Sequence, residues 1–432
     1  MTKRKPSQRI MTKLKDRLYT EEFKERWRQR AQDFTRDRKM PFVEVVLFMM
    51  GQCQRSLQVE LAAFMRKVGG SAQRITNSAF NQSRKKIRAG LFADLSATLI
   101  EEFYTDNDER VQLWKGHRLL ATDSSTIELP SRRELADIYG QVTNQYEVLV
   151  VHGRFSVLYD VLNNLAIEGV LAPYRAAERD LAKQHLHACS PNDLVIYDRG
   201  YPSFEMMHTV RQHKVHFLMR CPRDHNKEVE AFMRSGRDNA TVELCAGAHR
   251  PDLKDRRVTV RMVRVALNNG EFQVLLTSLL DTVRYRTSDF KDLYHRRWGV
   301  ETFFDEVKNI VRMEHFTGHS PHVIEQDFQC ALFLCNVHSL LVSEAQEELP
   351  AKHINRKLSY KINCNVSFGF FKEQVPLLLT KDQPMELTMR DLHELFLSAT
   401  VPIRPGRSAP RTIDKFKNRP KPKYLFNSKP AF

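Results

Sequence analysis

The chain has 432 residues, 42% of them hydrophobic and 28% charged, and its 68 Lys and Arg outnumber 52 Asp and Glu for a formal net charge of +16. Such a length carries several domains and a sizeable core, which excludes a peptide hormone, a disulfide mini-domain and a disordered chain. Seven Cys, odd in number and without C-x-x-C, spell neither a disulfide framework nor a zinc ribbon and fit a reducing cytoplasm. With no apolar leader at the start and no run near the roughly 18 apolar residues of a membrane span, a soluble cytoplasmic protein is expected.

The charge lies at the ends. Residues 1–40 hold 14 basic and 6 acidic residues and residues 401–432 hold 9 and 1, so each end contributes +8, while the segment between them is neutral. Basic ends on a balanced body are the footprint of a protein that grips a polyanion, most simply nucleic acid. Solvated, disordered ends are the competing reading.

In chain order, a basic N-terminal arm (1–19) precedes a helical domain (20–110), in which MPFVEVVLFMMGQC and SLQVELAAFMRKVGG have helical spacing and Gly69-Gly70 is a stop. The following SAQRITNSAFNQSRKKIRAG holds Arg84, Lys85 and Lys86 and no acid, so helix, glycine turn and basic helix look like a helix-turn-helix DNA reader. Many helical pairs share that pattern without touching DNA. From His117 the texture becomes β-rich: three strands, a helix, a strand (DLVIYDRG), a helix and a strand predict an α/β core with mixed strand directions over 111–221. TVELCAG and RRVTVRMVRVAL read as an inserted antiparallel β-subdomain over 222–270, after which the core resumes (271–320). A helical C-terminal region (321–400) and a basic tail (401–432) complete the chain.

A single long helix is expected from Thr287 to Val311. Tyr294, Arg297, Glu301 and Lys308 fall on one polar stripe of it, roughly 60° wide at about 100° per residue, bordering an apolar face. A carboxylate flanked by two cations and a phenol at the rim of a core suits a metal and a phosphodiester together. Read alone, Arg297 and Glu301 are also an ordinary i, i+4 ion pair on a solvated face. Asp123 ends the first β-run (LLATDSST) and Asp198 ends a buried strand (LVIYDRGY). Acids at strand ends are common turn formers, yet with Glu301 these two supply the three hard oxygen ligands of a two-magnesium phosphoryl-transfer site.

The order Asp123, Asp198, Glu301, with Y-x2-R-x3-E-x6-K at Tyr294, Arg297, Glu301 and Lys308 and D-R-G-Y at Asp198–Tyr201, resembles the insertion-sequence DDE transposases of the IS-four family over roughly residues 20–400. The resemblance implies a ribonuclease H-like mixed sheet core interrupted by a β insertion between the second Asp and the Glu. It implies an N-terminal domain for the terminal inverted repeats and a homodimer on paired DNA ends. Asp123, Asp198 and Glu301 would be the metal ligands, for two Mg²⁺ ions or Mn²⁺ in their place. Tyr294, Arg297 and Lys308 would hold phosphates of double-stranded DNA, and Trp298 would either meet an unstacked base or pack against a neighbouring domain.

Among weaker signals, Asp305 is the rival for third carboxylate. His315, His319 and His322 sit among glycine and proline without a partner cysteine, and read as surface histidines rather than a zinc site. The function expected is a DNA transposase working by metal-dependent cleavage and strand transfer. The alternatives are a non-catalytic DNA-binding descendant and a plain nuclease of the same fold.

Overall fold

Apolar runs in the middle of the chain are continuous rather than alternating, which suits strands covered on both faces, and they lie in one sheet between two helical layers. The computed structural model describes residues 6–404 apart from 37–38, 52–55, 69–74, 106–109, 144–148, 248–250, 268–269, 353, 355 and 382. Helices come first: α1 (Pro6–Leu18), α2 (Glu21–Trp27), α3 (Phe42–Met50), α4 (Leu57–Val68), α5 (Asn77–Arg84) and α6 (Leu91–Thr105). The sheet region follows with β1 (Leu119–Leu129), α7 (Arg133–Tyr139), β2 (Gln141–Thr143), β3 (Leu149–Asp160), β4 (Leu165–Pro173), α8 (Glu178–Gln184), β5 (Leu194–Tyr197), α9 (Phe204–Gln212) and β6 (His216–Cys221). Next are α10 (Lys227–Ser235), β7 (Asn239–Cys245), β8 (Arg257–Ala266), β9 (Phe272–Thr277), α11 (Asp289–His295) and α12 (Trp298–Asp305), which passes into a π-helical turn at Glu306–Ile310. The end is α13 (Pro321–Lys352), β10 (Tyr360–Ile362), α14 (Cys364–Leu379), α15 (Met385–Ser398) and β11 (Thr400–Pro402).

Strand order is β2-β3-β1-β5-β6-β9-β8-β7, with β4 also on β3. β1 runs antiparallel to β3 and parallel to β5, β5 runs parallel to β6, and β6–β9, β9–β8 and β8–β7 are antiparallel. Side chains alternate between the faces: Leu119, Ala121, Leu194, Ile196 and Leu218 enter the core shared with the N- and C-terminal helices. Leu120, Val195, Tyr197, Phe217 and Met219 face α8, α9 and α10. The mixed α/β architecture therefore agrees with the expectation from the sequence.

Four details differ. The β7–β8 pair is not a separate subdomain: it extends the same sheet through β9, because β8 is apolar on both faces, Val260 and Met262 on one and Val263 and Val265 on the other. Residues 6–18 of the supposed arm form α1, whose Ile10, Met11, Leu14 and Leu18 are buried, with Ser7 bonded to the Glu344 carboxylate. The two helical regions consequently share one core instead of standing apart. α13 is by length and composition apolar enough to cross a membrane, against the expectation of no such run, yet most of it is buried inside the protein. Packing explains its composition: Gly169 of β4 lets it approach so closely that an added Cβ would meet Leu332 at 2.3 Å.

The proposed turn at Gly69-Gly70, Arg74 and the tail from residue 405 lie outside the described residues. α5, capped by the Thr76 hydroxyl, ends at Arg84, so Lys85 and Lys86 follow the helix rather than ride on it. Lys85 is exposed and Lys86 half-buried.

Candidate active site

Asp123 is not at a strand end. β1 runs six residues past it on β3, but its parallel pairing with β5 stops at Ala121↔Ile196, so Asp123 sits where the sheet opens beside it. Asp198 follows the last residue of β5 at the same opening. The loop after it is pinned by Tyr201 N–H donating to the Asp198 carbonyl at 3.2 Å and by Arg179 Nε donating to the Gly200 carbonyl at 2.9 Å. The Ser203 hydroxyl then caps α9 through Met206 N–H.

The expected long helix is broken. α11 and α12 meet at a tight joint in which Arg297 N–H bonds the Tyr294 carbonyl and Val300 N–H the Arg297 carbonyl, i to i+3 bonds that interrupt the α-helical pattern without a proline. The stripe survives on these three short pieces because each is anchored by its own polar contact. The Tyr294 hydroxyl donates to Asp198 Oδ1 at 3.0 Å. Arg297 Nη2 donates to Glu301 Oε1 at 2.6 Å, and its Nη1 lies 3.5 Å from Asp123 Oδ2. Lys308, on the π turn, donates to the Ser125 hydroxyl at 2.7 Å and to the Thr126 carbonyl. The structure thus brings together Asp123, Asp198, Glu301, Tyr294, Arg297 and Lys308.

Burial sets the electrostatics. Desolvation pushes the Asp123 carboxyl up to about 6, against the Ser124 N–H and the Arg297 charge, and the neighbouring Asp198 and Glu178 charges push the same way. Asp198 is also desolvated, but the Arg199 N–H, Arg297 and the Tyr294 hydroxyl outweigh this and hold it below the usual carboxylate range. Burial, then the Asp198 charge, keeps Tyr294 a phenol and hence a donor. Arg297 is 4% exposed, and its Nε and Nη1 have no hydrogen-bond partner. Among the described residues no three His, Cys, Asp or Glu side chains close into a preformed metal cluster, because the guanidinium stands between Asp123 and Glu301. The donor set is all carboxylate oxygen around one organic cation, which fits hard divalent ions rather than zinc.

The remaining residues sort clearly. Asp305 is exposed and accepts from the Asn309 side chain at 2.6 Å. His315 and His319 are exposed, and His322 meets Gln326. Trp298 is 44% exposed, with the Arg297 guanidinium 5.7 Å from its ring. Arg84 does not face DNA: it is 3% exposed and paired with Asp327 at 2.5 Å and Gln326 at 2.8 Å on α13. The sequence reading assigned no role to Arg154, which donates to the Ser124 hydroxyl at 3.2 Å and to Glu178. Its distance in sequence from Asp123 leaves no local signal; only the β1–β3 register, Thr126↔Arg154, brings it near.

Residues 114–337, just over half of the chain, match the family model described as the transposase DDE domain. The transposase InsG for insertion sequence element IS4 of Escherichia coli (strain K12) is 24% identical over 316 residues, which is 71% of this chain and 69% of that protein. The putative transposase InsZ of the same strain is 26% identical over 148 residues, 32% of this chain and 46% of that one. Among solved structures, the piggyBac transposase synaptic complex with hairpin DNA aligns with a TM-score of 0.45 at 10% identity, covering 94% of this chain and 88% of the other. The chain belongs to the family of transposases with a DDE domain, on the insertion-sequence side represented by the IS4 element.

Proposed function

We propose that the protein is the transposase of an insertion sequence, binding double-stranded DNA at terminal inverted repeats as a homodimer and moving the element by cut-and-paste through a hairpin end. The observation that carries this reading is the meeting of Asp123, Asp198 and Glu301 around Arg297, with Tyr294 and Lys308 on the same side. On this reading the three carboxylates hold two Mg²⁺ ions, or Mn²⁺ in their place. Bound there, the ions would supply an activated water or 3′-hydroxyl and neutralise charge on the attacking and leaving oxygens. The chain's own residues do the positioning. Arg297, released from Asp123, presents buried donors to a phosphate, Tyr294 steadies Asp198, and Lys308 secures the β1 backbone beside Asp123 while offering a cation to the next phosphate. Trp298 offers its exposed face to a displaced base.

The strand order around β1, antiparallel to β3 and parallel to β5 and β6, supports a ribonuclease H-like core for residues 111–221 and 271–320, with 222–270 as its insertion. The helical region 20–110, with Lys85 and Lys86 at its surface, is the candidate for end binding, aided by the basic tail. The protein then works in the bacterial cytoplasm, on the nucleoid.

The test is incubation of the purified chain with Mg²⁺ and end-labelled DNA carrying the element's inverted repeats. Nicking at the repeat ends, stimulated by a second end, is expected. Cleavage indifferent to those ends would make it a plain nuclease, and binding without cleavage a DNA-binding descendant.

A further inference from the structure

Among the described residues, polar contacts tie β1, which carries Asp123, to the chain from Arg297 to Glu314, which carries Glu301, at three places. Arg297 lies 3.5 Å from Asp123 Oδ2, Lys308 donates to the Ser125 hydroxyl at 2.7 Å and to the Thr126 carbonyl, and the Glu128 N–H donates to Glu314 Oε1 at 3.1 Å. On the reading above, the first two are given up during the reaction, because Arg297 and Lys308 turn to phosphates. The third uses no group on which that reaction draws.

The grip falls on a bare strand edge. Antiparallel pairing with β3 leaves alternate N–H and C=O groups of β1 facing outward, and β5 covers that side only as far as Ala121. Beyond it, Asp123 Oδ1 accepts from the Ser124 N–H at 2.8 Å, Lys308 takes the Thr126 carbonyl, and Glu314 takes the Glu128 N–H. The backbone fixes where Glu314 stands. Val311 N–H closes the π turn on the Glu306 carbonyl at 3.0 Å, Arg312 reverses the chain in the left-handed region at φ 54°, and buried Met313 donates its N–H to the Val307 carbonyl at 3.1 Å. Further along, Thr317 N–H is held by Asp327 Oδ2 of α13 at 2.8 Å.

Resting on the assignment of Asp123 and Glu301 as metal ligands above, we propose that Glu314 is a positioning residue: by holding the Glu128 N–H it keeps β1 in register with the Glu301 segment while DNA engages Arg297 and Lys308. Ligands on two separate elements serve one reaction only if the elements keep their spacing, and a misplacement of about 1 Å slows such reactions by up to roughly a hundredfold.

The experiment compares full-length wild type, Glu314→Ala, Glu314→Gln and Asp123→Asn in single-turnover nicking of end-labelled DNA carrying the inverted repeats, with Mg²⁺, alongside end affinity and melting temperature. Glu314 and Glu128 are both exposed, so Glu314→Ala should melt within about 2 °C of the wild type and bind the end equally well. At saturating DNA it should nevertheless nick about tenfold more slowly. Glu314→Gln keeps an acceptor oxygen and loses the charge, so it should restore nicking to nearly the wild-type rate. Wild-type nicking in Glu314→Ala, or a loss that only follows a lowered melting temperature, overturns the inference. So does a Glu314→Gln as slow as Glu314→Ala. Burial lowers the hold of Lys308 on its proton and the Glu314 charge raises it, and that charge rather than the bond to β1 would then be what matters. Asp123→Asn separates the two levels. If it is inactive while Glu314→Ala is not slowed, Glu314 alone is misassigned. If it nicks like the wild type, the ligand assignment fails and the role of Glu314 falls with it.

Discussion

The Arg297 guanidinium sits between two carboxylates that approach it from different elements, Asp123 on β1 at 3.5 Å and Glu301 one helical turn ahead at 2.6 Å. The arginine is almost wholly buried, so its charge must be matched there, and the acids must be matched by it. This makes Arg297 a counter-ion for the acidic site as well as a candidate phosphate ligand.

The carboxylates themselves are the first test. Asp123→Asn, Asp198→Asn and Glu301→Gln should each reduce strand cleavage to background on end-labelled DNA, while gel-shift affinity for the same end stays near wild type. Asp305→Ala should cleave normally, because Asp305 is exposed and bonded to Asn309 rather than to the cluster. Activity in Glu301→Gln together with an inactive Asp305→Ala would move the third ligand by one turn.

Arg84 separates structure from DNA binding. It ties α5 to α13 through Asp327, Gln326 and Thr317 with almost no exposure. Removing one member of such a pair leaves the other uncompensated, so Arg84→Ala should lose about 3 kcal/mol in urea unfolding. Exposed Lys85, replaced by Ala, should change stability by under about 0.5 kcal/mol. It should instead flatten the dependence of log affinity on log salt by roughly 0.9 if it meets a phosphate. A salt slope altered by neither Lys85→Ala nor Lys86→Ala would remove this segment from the DNA surface.

What the sequence disclosed follows from what each signal depends on. The place of Asp198 after a strand and the helical spacing of Tyr294, Arg297, Glu301 and Lys308 are local patterns and so were legible, whereas Asp123, read as ending a β-run, lies inside β1. Of the stripe, Tyr294 meets Asp198, Arg297 meets Asp123 and Lys308 meets Ser125 and Thr126. The break between α11 and α12 was invisible, since its i to i+3 bonds need no proline. Arg84 looked like a DNA contact because its partners lie more than 230 residues away, and basic residues beside a helix look alike whether they face solvent or a buried acid. The β7–β8 pair read as its own unit because alternation in β7 is local information, whereas its neighbour β9 lies beyond the insertion.

Acid stability should reflect buried neutral histidines. His338, enclosed by Phe368, Phe371 and Phe396, is pushed down by burial to about 3, and His216 is pushed down to about 4 by burial and by the charges of Arg211 and His117. The unfolded chain takes up these protons at about 6.5 and the folded one does not, so stability is full above that pH and falls as pH drops towards 4. The His338 contribution should approach 1.4 kcal/mol per pH unit, about the limit for one proton. His338→Asn should therefore show a shallower loss of unfolding free energy between pH 6 and 4. Parallel curves for variant and wild type would mean that His338 charges as readily inside as outside.

The basic tail carries 8 Lys and Arg in residues 405–432. Deleting that segment should weaken DNA binding at moderate salt and lower the log-log salt slope by up to roughly 0.9 for each phosphate that the tail neutralises. Fluorescence anisotropy across a salt series would show it, and an unchanged slope would exclude the tail from the complex.

Returning a freed 3′-hydroxyl to the opposite strand at one active site requires a sharply bent duplex end whose displaced phosphates must be held. Arg297 and Lys308 are the cations beside the carboxylates, but they do not make equally clean probes. Arg297→Ala would strip the counter-ion from Asp123 and Glu301 and so disturb the first nick too. Among the described residues Lys308 bonds the Ser125 hydroxyl and the Thr126 carbonyl on β1, and burial already lowers its hold on its proton. Lys308→Ala should therefore nick at a near wild-type rate yet accumulate nicked ends, with hairpins reduced about tenfold or more. Arg297→Ala should slow both steps. Denaturing gels on end-labelled DNA, sampled through time, distinguish the two patterns. Equal loss of nicking and hairpin formation in Lys308→Ala would mean that its tether to β1 shapes the site itself, and that bending of the DNA end is managed elsewhere on the protein.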